Sequence, residues 1–446
     1  MASTDLRRTK TTSSTLTKFT FSAWLKRSST GVDHVPWGIW IDGDNRSYVD
    51  INDEDRLVLF ERVSGVSTIV LNTSMKFRDL SAWYHVVVVA DTTQATASDR
   101  IKFYVNGELI TDFSSSTYPS QNANLLLQNN TSTVYVGSVG LSYWNGSMAH
   151  IHYIDGTAYD ADTFGETDTT TGIWKPKTAP SVTYGTNGFF LKFENSGAFG
   201  TDSSGNANNF TVNGTMTQTI DTPSNVFATM NALNTYVPAI LSNGNLKISG
   251  AGSDGGSAST LGFSSGKWYW EVKYTDEIGG DPVVGIVNSI GANKIKGTTS
   301  LSVTSGSGVW CLFNLTSGGV GIQENGVFDS YPSTTLSDGD ILNIAVDADN
   351  QKLWYGINGT WFNSGDPANG TNATSINLTS GETWFAYLEK RNSSSIADFN
   401  FGNGYFGTTK ITSPYNDSNG IGLFNYEPPT NFLSLCTKSL NEQEYD

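Results

Sequence analysis

The sequence is short of cysteine, of charged residues and of long apolar runs. Two cysteines, Cys311 and Cys436, stand far apart in 446 residues, which excludes the disulfide framework of a small secreted domain. Charged residues make up 15% of the chain, and no apolar run reaches the length of a membrane-spanning helix. Residues 1–18 also lack an apolar signal-peptide core, so we expect neither a standard secretory route nor membrane insertion.

Basic residues are also scarce. The chain has 26 Lys and Arg against 42 Asp and Glu, a formal net charge of −16. This balance argues against a nucleic-acid partner, which requires a basic surface. Solubility is the main interpretation of the acidity. Asp42 and Asp44 alternate along the chain and share a face if it is extended, so calcium is a candidate cofactor; an ordinary acidic β-turn is the alternative.

Glycine and aromatic residues are abundant, and no long amphipathic helical pattern occurs. The chain has 46 glycines and 12% aromatic residues, a composition typical of β proteins with many turns. Residues 338–361 read as two strands around a polar turn, followed by Asn358-Gly359. Residues 83–107 repeat this pattern and end in Asn106-Gly107. The sequence therefore predicts an all-β fold with two antiparallel β-sandwich domains of jelly-roll type, joined by a connector.

The predicted domain boundaries follow the motifs and turns along the chain. We expect an N-terminal arm over 1–18, a first sandwich over 19–160 and a connector packing on it over 161–235. A second sandwich is predicted over 236–424 and a C-terminal tail over 425–446, with an acidic, solvated end.

Ordered motifs in both sandwiches carry a resemblance to known families. Residues 19–24, 83–86, 102–107, 134–137 and 146–151 resemble successive strands of the laminin-G/concanavalin A-like lectin superfamily. Residues 264–272, 283–287, 338–340, 353–361 and 398–402 resemble a SPRY domain, a sandwich that usually binds protein partners through its loops. The resemblance implies two binding modules.

The connector and the tail carry a third resemblance. Short motifs at 164–167, 174–176, 184–193, 201–206 and 221–225, and the tail segment 426–437, resemble virion appendage proteins of tailed bacteriophages, especially marine ones. This resemblance implies a structural protein of a virus particle.

The first sandwich lacks the pair of carboxylates that its enzymatic relatives use. Glucanases of the lectin-like fold place two glutamates at alternate positions of one strand. Here the acidic residues Asp53, Glu54 and Asp55 are consecutive, so neighbours point to opposite faces of a strand. His85 is most simply a strand residue. The sequence predicts no catalytic residue and no enzyme.

Exposed aromatic residues are the candidates for ligand binding. Tyr143, Trp144 and Asn145 stand at a predicted turn and could offer a ring on which a sugar stacks. Trp37 and Trp40 are weaker candidates, because strand tryptophans are more often part of a core.

In the second sandwich Trp361 and Phe362 follow the Asn-Gly turn. The SPRY resemblance places that rim near a partner-binding face. Trp268, Trp270 and Trp354 are predicted to be core residues.

Together these features predict a non-enzymatic phage virion protein: a tail fibre, a capsid fibre or a decoration-type appendage that adheres to a host surface glycan or protein. It would be made in the host bacterial cytoplasm and reside in the virion. Its partners would be other virion proteins and the host surface, and it would act as a homo-oligomer or in many copies per particle. The alternatives are a purely structural cementing protein, a polysaccharide depolymerase and, least favoured, a cellular lectin–SPRY adaptor.

Overall fold

The computed structural model describes residues 4–12, 16–128, 132–169, 172–236, 239–250, 255–275, 282–297, 301–302, 304–315, 319–330, 336–375, 378, 380–390 and 396–444. The chain divides into two compact units. Unit 1 comprises residues 1–218 and 222–224, and unit 2 comprises residues 219–221 and 225–446. Among the described residues, no helix combines the length and the apolar character needed to cross a membrane.

The regular secondary structure of unit 1 is almost entirely strand. In chain order they are β1 (Asp5–Thr9), β2 (Lys18–Arg27), β3 (His34–Trp40), β4 (Arg46–Ile51), β5 (Arg56–Val63), β6 (Val66–Lys76), β7 (Tyr84–Asp91), β8 (Ile101–Val105), β9 (Glu108–Ile110), β10 (Phe113–Thr117), β11 (Thr133–Val136), β12 (Ser138–Val139), β13 (Ser142–Tyr143), β14 (Gly146–Asp155), β15 (Gly165–Thr167), β16 (Trp174–Pro176), β17 (Phe189–Leu191) and β18 (Thr211–Asn213). Short 3-10 helices cover Ala97–Asp99, Leu126–Gln128 and Ala161–Thr163.

These strands form two large antiparallel sheets. The eight-stranded sheet has the order β10-β6-β5-β4-β3-β11-β1-β18, and the six-stranded sheet has the order β17-β14-β2-β7-β8-β9. Strands β12 and β13, and strands β15 and β16, form separate pairs. The predicted all-β class with antiparallel sheets is confirmed.

One apolar core separates the two large sheets. Successive strand residues point to opposite faces, so β5 sends Leu57 and Leu59 into the core and Phe60 to the outer face. Trp37 of β3 is fully buried there and stacks on Phe21 of β2, with ring centroids 4.7 Å apart. Each sheet thus has an inner face in the core and an outer face.

The outer face of the six-stranded sheet is also covered. Strand β7 is apolar on both sides: Val86 and Val88 enter the core, whereas Val87 and Val89 belong to a second buried cluster on the outer face. A strand that is apolar on both faces is stable only when both are covered. The cover comes from the segment predicted as a connector, which contributes Phe164 and its neighbours.

The prediction of an N-terminal arm is wrong for β1, which is a strand of the eight-stranded sheet. Asp5–Thr9 pairs with β11 on one side and β18 on the other, and Leu6 is fully buried in the core. Lys10 continues inward and donates from Nζ to the Leu127 carbonyl at 2.6 Å. One apolar residue in a polar stretch gave no strand signal, and the pairing depends on strands distant in sequence.

Both predicted hairpins form. Strand β7 pairs with β8, and Asn106-Gly107 turns the chain into β9 with φ of 49° and 87°. In unit 2 the Asn358-Gly359 turn has φ of 50° and 78°, and positive φ at both positions is what a two-residue hairpin turn needs. The two asparagines also act alike: Oδ1 accepts the backbone N–H of His85 at 2.8 Å in the first turn and of Ile341 at 3.0 Å in the second.

Unit 2 is a second set of antiparallel strands. In chain order they are β19 (Met230–Thr235), β20 (Ala239–Ser242), β21 (Lys247–Gly250), β22 (Gly255–Phe263), β23 (Lys267–Thr275), β24 (Pro282–Asn288), β25 (Val309–Leu315), β26 (Gly319–Glu324), β27 (Val327–Ser330), β28 (Ile341–Asp347), β29 (Lys352–Ile357), β30 (Thr360–Trp361), β31 (Trp384–Lys390), β32 (Ile396–Asn400), β33 (Tyr405–Phe406), β34 (Thr409–Lys410), β35 (Tyr415–Asn416), β36 (Leu423–Phe424) and β37 (Leu433–Ser434). Helices α1 (Ser289–Ala292) and α2 (Thr437–Glu444) and the 3-10 turns Ile295–Gly297 and Phe362–Ser364 complete it.

Two sheets again enclose a core. One has the order β19-β22-β31-β24-β25-β26-β27, and the other has the order β20-β21-β32-β23-β28-β29-β30, with β37 added in parallel to β23. The predicted core tryptophans Trp268, Trp270 and Trp354 are all fully buried, as expected.

The C-terminal segment is part of unit 2 rather than a solvated tail. Strand β37 extends a sheet, and Phe432, Leu435 and Cys436 are fully buried. The backbone N–H groups of Asn425 and Tyr426 donate to the buried Glu271 carboxylate at 2.9 and 2.8 Å. The prediction of a tail is therefore wrong over residues 425–436, because these apolar side chains complete the core, whereas Asn441 and Glu442 of the predicted acidic end are exposed.

Candidate ligand-binding face

The outer face of the eight-stranded sheet carries aromatic and arginine side chains that solvent reaches. Trp40 is 37% exposed, and the Arg7 side chain is 45% exposed. Strand alternation identifies the other residues of this surface. Val49 and Leu59 point into the core, so the residues next to them in sequence point outward. We call this surface the open face, and define it as Arg7, Thr9, Thr133, Tyr135, Gly38, Trp40, Arg46, Tyr48, Phe60 and Arg62.

An aromatic row crosses the strands of the open face. Tyr135 of β11 lies opposite Gly38 of β3, Gly38 lies opposite Tyr48 of β4, and Tyr48 lies opposite Phe60 of β5. The Tyr48 and Phe60 rings stack with centroids 5.3 Å apart. A Cβ on Gly38 would come within 2.6 Å of the Ser47 carbonyl oxygen and of Tyr48 Cβ. Only glycine at position 38 lets strands β3 and β4 approach this closely in the middle of the row.

Arg46 is held between two rings of this face. Its guanidinium carbon lies 5.2 Å from the centroid of the Trp40 ring and 5.3 Å from that of Phe60. It also donates to the Gly43 carbonyl. Cation–π contacts at such distances fix a guanidinium while leaving its edge able to donate hydrogen bonds.

Two further arginines border this row. Arg62 lies opposite Arg46 in register, and its Nη2 is 3.6 Å from Asp44 Oδ1. Arg7 lies opposite Tyr135, with its guanidinium 5.4 Å from that ring. Its Nε and Nη2 donate to Asp5 at 2.8 and 3.1 Å. These contacts set the positions of three cations along the face.

A cleft of about 700 Å³ lies at the β1 end of the open face. Its walls combine hydroxyl, amide and guanidinium groups with one aromatic ring, a mixture suited to a polar ligand. Thr9 and Thr133 link across it through their hydroxyls at 3.0 Å. The lining residues are Arg7, Arg8, Thr9, Thr133, Tyr135, Ala207, Asn209, Thr211, Val212 and Asn213.

Two buried carboxylates on this side of the sheet, Asp5 and Asp50, are not spaced for glycoside hydrolysis. Asp5 on β1 and Asp50 on β4 are three strand positions apart, which is roughly 14 Å at ~4.8 Å per strand. Glycosidase pairs lie about 5 to 9.5 Å apart. Burial raises the pKa of Asp50 to about 7, and its Oδ1 accepts the His34 N–H at 3.1 Å.

The covered outer face holds a serine–histidine pair whose protonation is wrong for catalysis. His85 Nδ1 accepts from Trp174 Nε1 at 3.0 Å, and Nε2 lies 2.9 Å from Ser22 Oγ. An indole N–H only donates, so Nδ1 carries the lone pair. Burial lowers the pKa of His85 to about 3, and the neutral ring therefore carries its proton on Nε2. It donates to Ser22 and cannot act as its general base.

His152 is enclosed on the same face. Its ring stacks on Phe190 with centroids 3.9 Å apart, and Nδ1 lies 2.9 Å from the Tyr184 hydroxyl. Burial lowers the pKa of His152 well below its usual value. We call this surface, with Ser22, His85, His152, Phe164, Trp174, Tyr184 and Phe190, the sealed face.

Two predicted ligand-binding tryptophans are core residues. Trp37 is fully buried, as described above. Trp144 is 9% exposed and packs in the core of unit 1, where its ring meets His34 edge-on at 5.6 Å. Both predictions are wrong, because each side chain fills space between the sheets.

The other two residues of that predicted platform are also engaged. Asn145 accepts the Ser28 N–H at 3.0 Å and donates its own N–H to His34 Nδ1 at 3.2 Å. Tyr143 is half-buried on β13. The structure therefore does not present residues 143–145 as a sugar-stacking turn.

In unit 2 the predicted rim residues point inward. Phe362 is 8% exposed and belongs to the core, which makes its assignment to a binding rim wrong. Trp361 is half-buried and meets Tyr269 edge-on at 6.3 Å. A cleft of about 470 Å³ does lie beside the Asn-Gly turn, lined by Asn358, Gly359, Ala368, Tyr415, Tyr426, Glu427, Pro428, Pro429 and Thr430.

Asp42 and Asp44 lie together in the β3–β4 turn, but their oxygens are engaged. Asp42 Oδ1 accepts the N–H groups of Asp44 and Asn45, each at 2.8 Å, and these hydrogen bonds lower the Asp42 pKa. Asp44 faces Arg62. Across the described parts of the chain, no three His, Cys, Asp or Glu residues are placed to hold a metal. The oxygens of this pair have partners within the turn, and calcium binding at Asp42 and Asp44 stays a prediction.

Sequence reasoning missed most of the open face. Trp37 and Trp40 are equally weighted candidates in the sequence, although their odd spacing puts them on opposite faces of β3 and one residue of register decides which of them is outward. Alternation along β4 and β5 could have identified Arg46, Tyr48 and Phe60, since Val49 and Leu59 are apolar neighbours. No local sequence pattern predicts the pairing of β1 with β11, which places Arg7 on the open face.

Comparison with known proteins agrees with this fold for the first sandwich. Residues 3–162 match the family model described as the concanavalin A-like lectin/glucanases superfamily. This stretch has the concanavalin A-like jelly-roll fold, and the predicted resemblance is confirmed there. No curated protein matches the chain.

Solved structures similar to the chain include two SPRY domains. The SPRY domain of human HERC1 is 14% identical, with a TM-score of 0.30, and the match covers 38% of this chain and 96% of the HERC1 domain chain. The TRIM65 PSpry domain is 11% identical, with a TM-score of 0.29, and covers 39% of this chain and 91% of its own. At these scores the likeness assigns no function, and the SPRY-like nature of unit 2 stays a prediction.

Proposed function

We propose that this protein is a non-enzymatic adhesin that binds glycans along the open face of unit 1. The observation that carries the proposal is the cross-strand row of Tyr135, Tyr48 and Phe60 with Trp40 beside it. Aromatic rings offer apolar platforms to the apolar faces of sugar rings. The polar cleft at the β1 end would extend this platform with hydroxyl and amide groups.

The chemistry of the acidic and nucleophilic groups supports binding rather than turnover. Asp5 and Asp50 are too far apart for an acid–nucleophile pair. Asp50 has a pKa of about 7, in the range of a general acid, but its carboxylate is buried and accepts the His34 N–H. Ser22 faces the protonated nitrogen of His85.

We further propose that the adhesin is a virion appendage of a tailed phage, as a tail fibre, capsid fibre or decoration protein. The ordered motifs of the connector and the C-terminal segment support this setting. Many weak sites on one particle would act together through avidity. Unit 2 would provide a second binding module for a virion or host protein.

Binding to host cells tests the adhesin directly. Fluorescently labelled protein is expected to bind saturably to cells of a susceptible bacterium and to compete with that host's purified surface polysaccharide. Absence of binding to any host that the particle infects would contradict the proposal and favour a cementing role. Loss of binding in EDTA would bring back the metal prediction at Asp42 and Asp44.

Matched variants locate the site. Trp40→Ala removes an exposed platform and is expected to weaken cell binding about tenfold, a loss of about 1.4 kcal/mol. Leu109→Ala is the control, because Leu109 is 46% exposed on β9, at the edge of the other large sheet. Equal binding by wild type and Trp40→Ala would move the site elsewhere. New reducing ends on incubation with polysaccharide would identify a depolymerase instead.

A further inference from the structure

We infer that the ligand of the open face is an acidic polysaccharide whose carboxylates are bound by Arg46, with Arg7 and Arg62 on either side. The inference rests on the proposed glycan-binding function and narrows it to one chemical class.

The distribution of charge is the first argument. The chain carries a formal charge of −16 and has 26 basic residues in 446, yet three arginines stand on this one face. Solubility does not explain a basic cluster on an acidic protein, since Asp and Glu already provide it. Arg7 and Arg62 each have a carboxylate beside them, Asp5 and Asp44, so the charge of Arg46 is the one on this face that attracts anions.

The state of Arg46 is the second argument. Arg7 is paired with Asp5, and Arg62 faces Asp44. Among the described residues Arg46 is instead held by the rings of Trp40 and Phe60, by one backbone carbonyl and by the Tyr48 hydroxyl, and none of these partners is a carboxylate. Stacking fixes the plane of the guanidinium, so little entropy is lost when a carboxylate binds its free edge. A carboxylate forms strong paired hydrogen bonds with such an edge.

The placement of the cations relative to the rings is the third argument. Arg7, on β1, and Arg62, on β5, are four strand positions apart, which is roughly 19 Å at ~4.8 Å per strand. The aromatic row of Tyr135, Tyr48 and Phe60 runs between them in the same direction. A polymer lying across the strands would stack its rings on this row and present charged groups to the arginines. A single small anion would use only one end of such a row.

The test compares one polymer in two charge states. Polygalacturonate and its fully methyl-esterified form share a backbone and differ in carboxylate charge. Binding of each to the full-length protein is measured by biolayer interferometry at low and at high salt. We expect about tenfold tighter binding of the acidic form at low salt, a difference that salt reduces by screening.

Variants assign the difference to Arg46. Arg46→Gln is expected to weaken binding of polygalacturonate about tenfold and to leave the ester unchanged. Arg46→Lys keeps the charge but loses the planar edge, so we expect partial recovery. Lys102→Gln, on β8 of the other sheet, removes one positive charge elsewhere and is expected to bind like wild type.

The outcomes separate this inference from the proposed function. Equal affinity for the acidic and esterified forms, or a loss with Lys102→Gln equal to that with Arg46→Gln, would overturn the acidic class. Binding of only neutral polymers through Trp40 would also overturn it, while keeping the adhesin. Failure of every polymer, together with failure to bind host cells, would contradict both.

Discussion

The two outer faces of unit 1 differ in what lies over them. The sealed face places buried histidines under the aromatic residues of the following segment, Phe164, Trp174 and Tyr184. The open face keeps its rings and arginines accessible, with Trp40 37% exposed. Both faces are aromatic, yet one stabilises the sandwich and the other is free to contact a ligand.

The difference shows why aromatic content alone does not locate a site. On the sealed face the nitrogen atoms of His85 have partners within the chain, Trp174 on one side and Ser22 on the other. On the open face Arg46 is oriented by rings, which leave its donors available. Buried polar groups that have partners stabilise the fold. A preoriented, accessible donor is a binding group.

The largest expected effect follows from removing a buried aromatic side chain of the sealed face. Phe164→Ala removes a ring that is 1% exposed and contacts His152 at 5.1 Å between centroids. We expect unit 1 to lose about 3 to 5 kcal/mol of unfolding free energy, measured by urea denaturation. Trp40→Ala on the open face is the control and should cost less than about 1 kcal/mol. Similar costs for both variants would remove the distinction between the faces.

Acid should destabilise the sealed face. The pKa of His85 is about 3 in the folded protein and about 6.5 when unfolded, so the unfolded chain binds the proton first. The stability contributed by this group is complete above about pH 6.5 and falls by about 1.4 kcal/mol per pH unit below it.

The check is urea unfolding of wild type and His85→Gln at about pH 7.5, 6 and 5. The introduced glutamine keeps a donor and an acceptor but does not titrate, so the profile of the variant should be flatter by about 2 kcal/mol between pH 6.5 and 5. Parallel profiles would show that folding does not lower the pKa of His85.

Asp50, on the other sheet, should respond with the opposite sign. Its folded pKa of about 7 lies above the ordinary value of 3.8, so the stability from this group is present at low pH and lost as pH rises through 7. Asp50→Asn keeps an acceptor for the His34 N–H. We expect it to stabilise unit 1 by about 4 kcal/mol at pH 8 and to have little effect at pH 4. Destabilisation at pH 8 would mean that the charged form is favoured.

The smallest expected effect is at the turn beside the open face. Asp42→Ala removes the acceptor of two backbone N–H groups in an exposed turn. The unfolding midpoint of unit 1 should fall by only about 1 to 3 °C in a thermal melt. Asp42→Asn should restore most of it, because the amide oxygen accepts the same bonds. A large stabilisation of wild type by added calcium, absent in Asp42→Ala, would contradict this hydrogen-bonding role.

Local patterns predicted much of the fold but little of the candidate site. The Asn-Gly turns, the β28–β29 hairpin and the buried Trp268, Trp270 and Trp354 follow from turn chemistry and alternation. Trp37 and Trp144 were assigned to the surface because the sequence does not state which face of each strand is inward.

Pairing between distant segments accounts for the rest. Strand β1 lies between β11 and β18, and residues 433–434 extend a sheet beside β23. These contacts join residues far apart in sequence, and each segment is too short or too polar to carry its own periodic signal. The open face is assembled by such pairing, so its Arg7–Tyr135 contact could not be predicted from the sequence.

Hydroxyl-radical footprinting of the protein, alone and bound to its host polysaccharide, tests the central claim most directly. Exposed aromatic side chains react with the radical, and a bound ligand protects them. The account predicts protection of the peptides that carry Trp40, Tyr48 and Tyr135, with no change at Trp174 and Tyr184 of the sealed face. Protection confined to Tyr415 and Tyr426 of unit 2, with the open face unchanged, would contradict it.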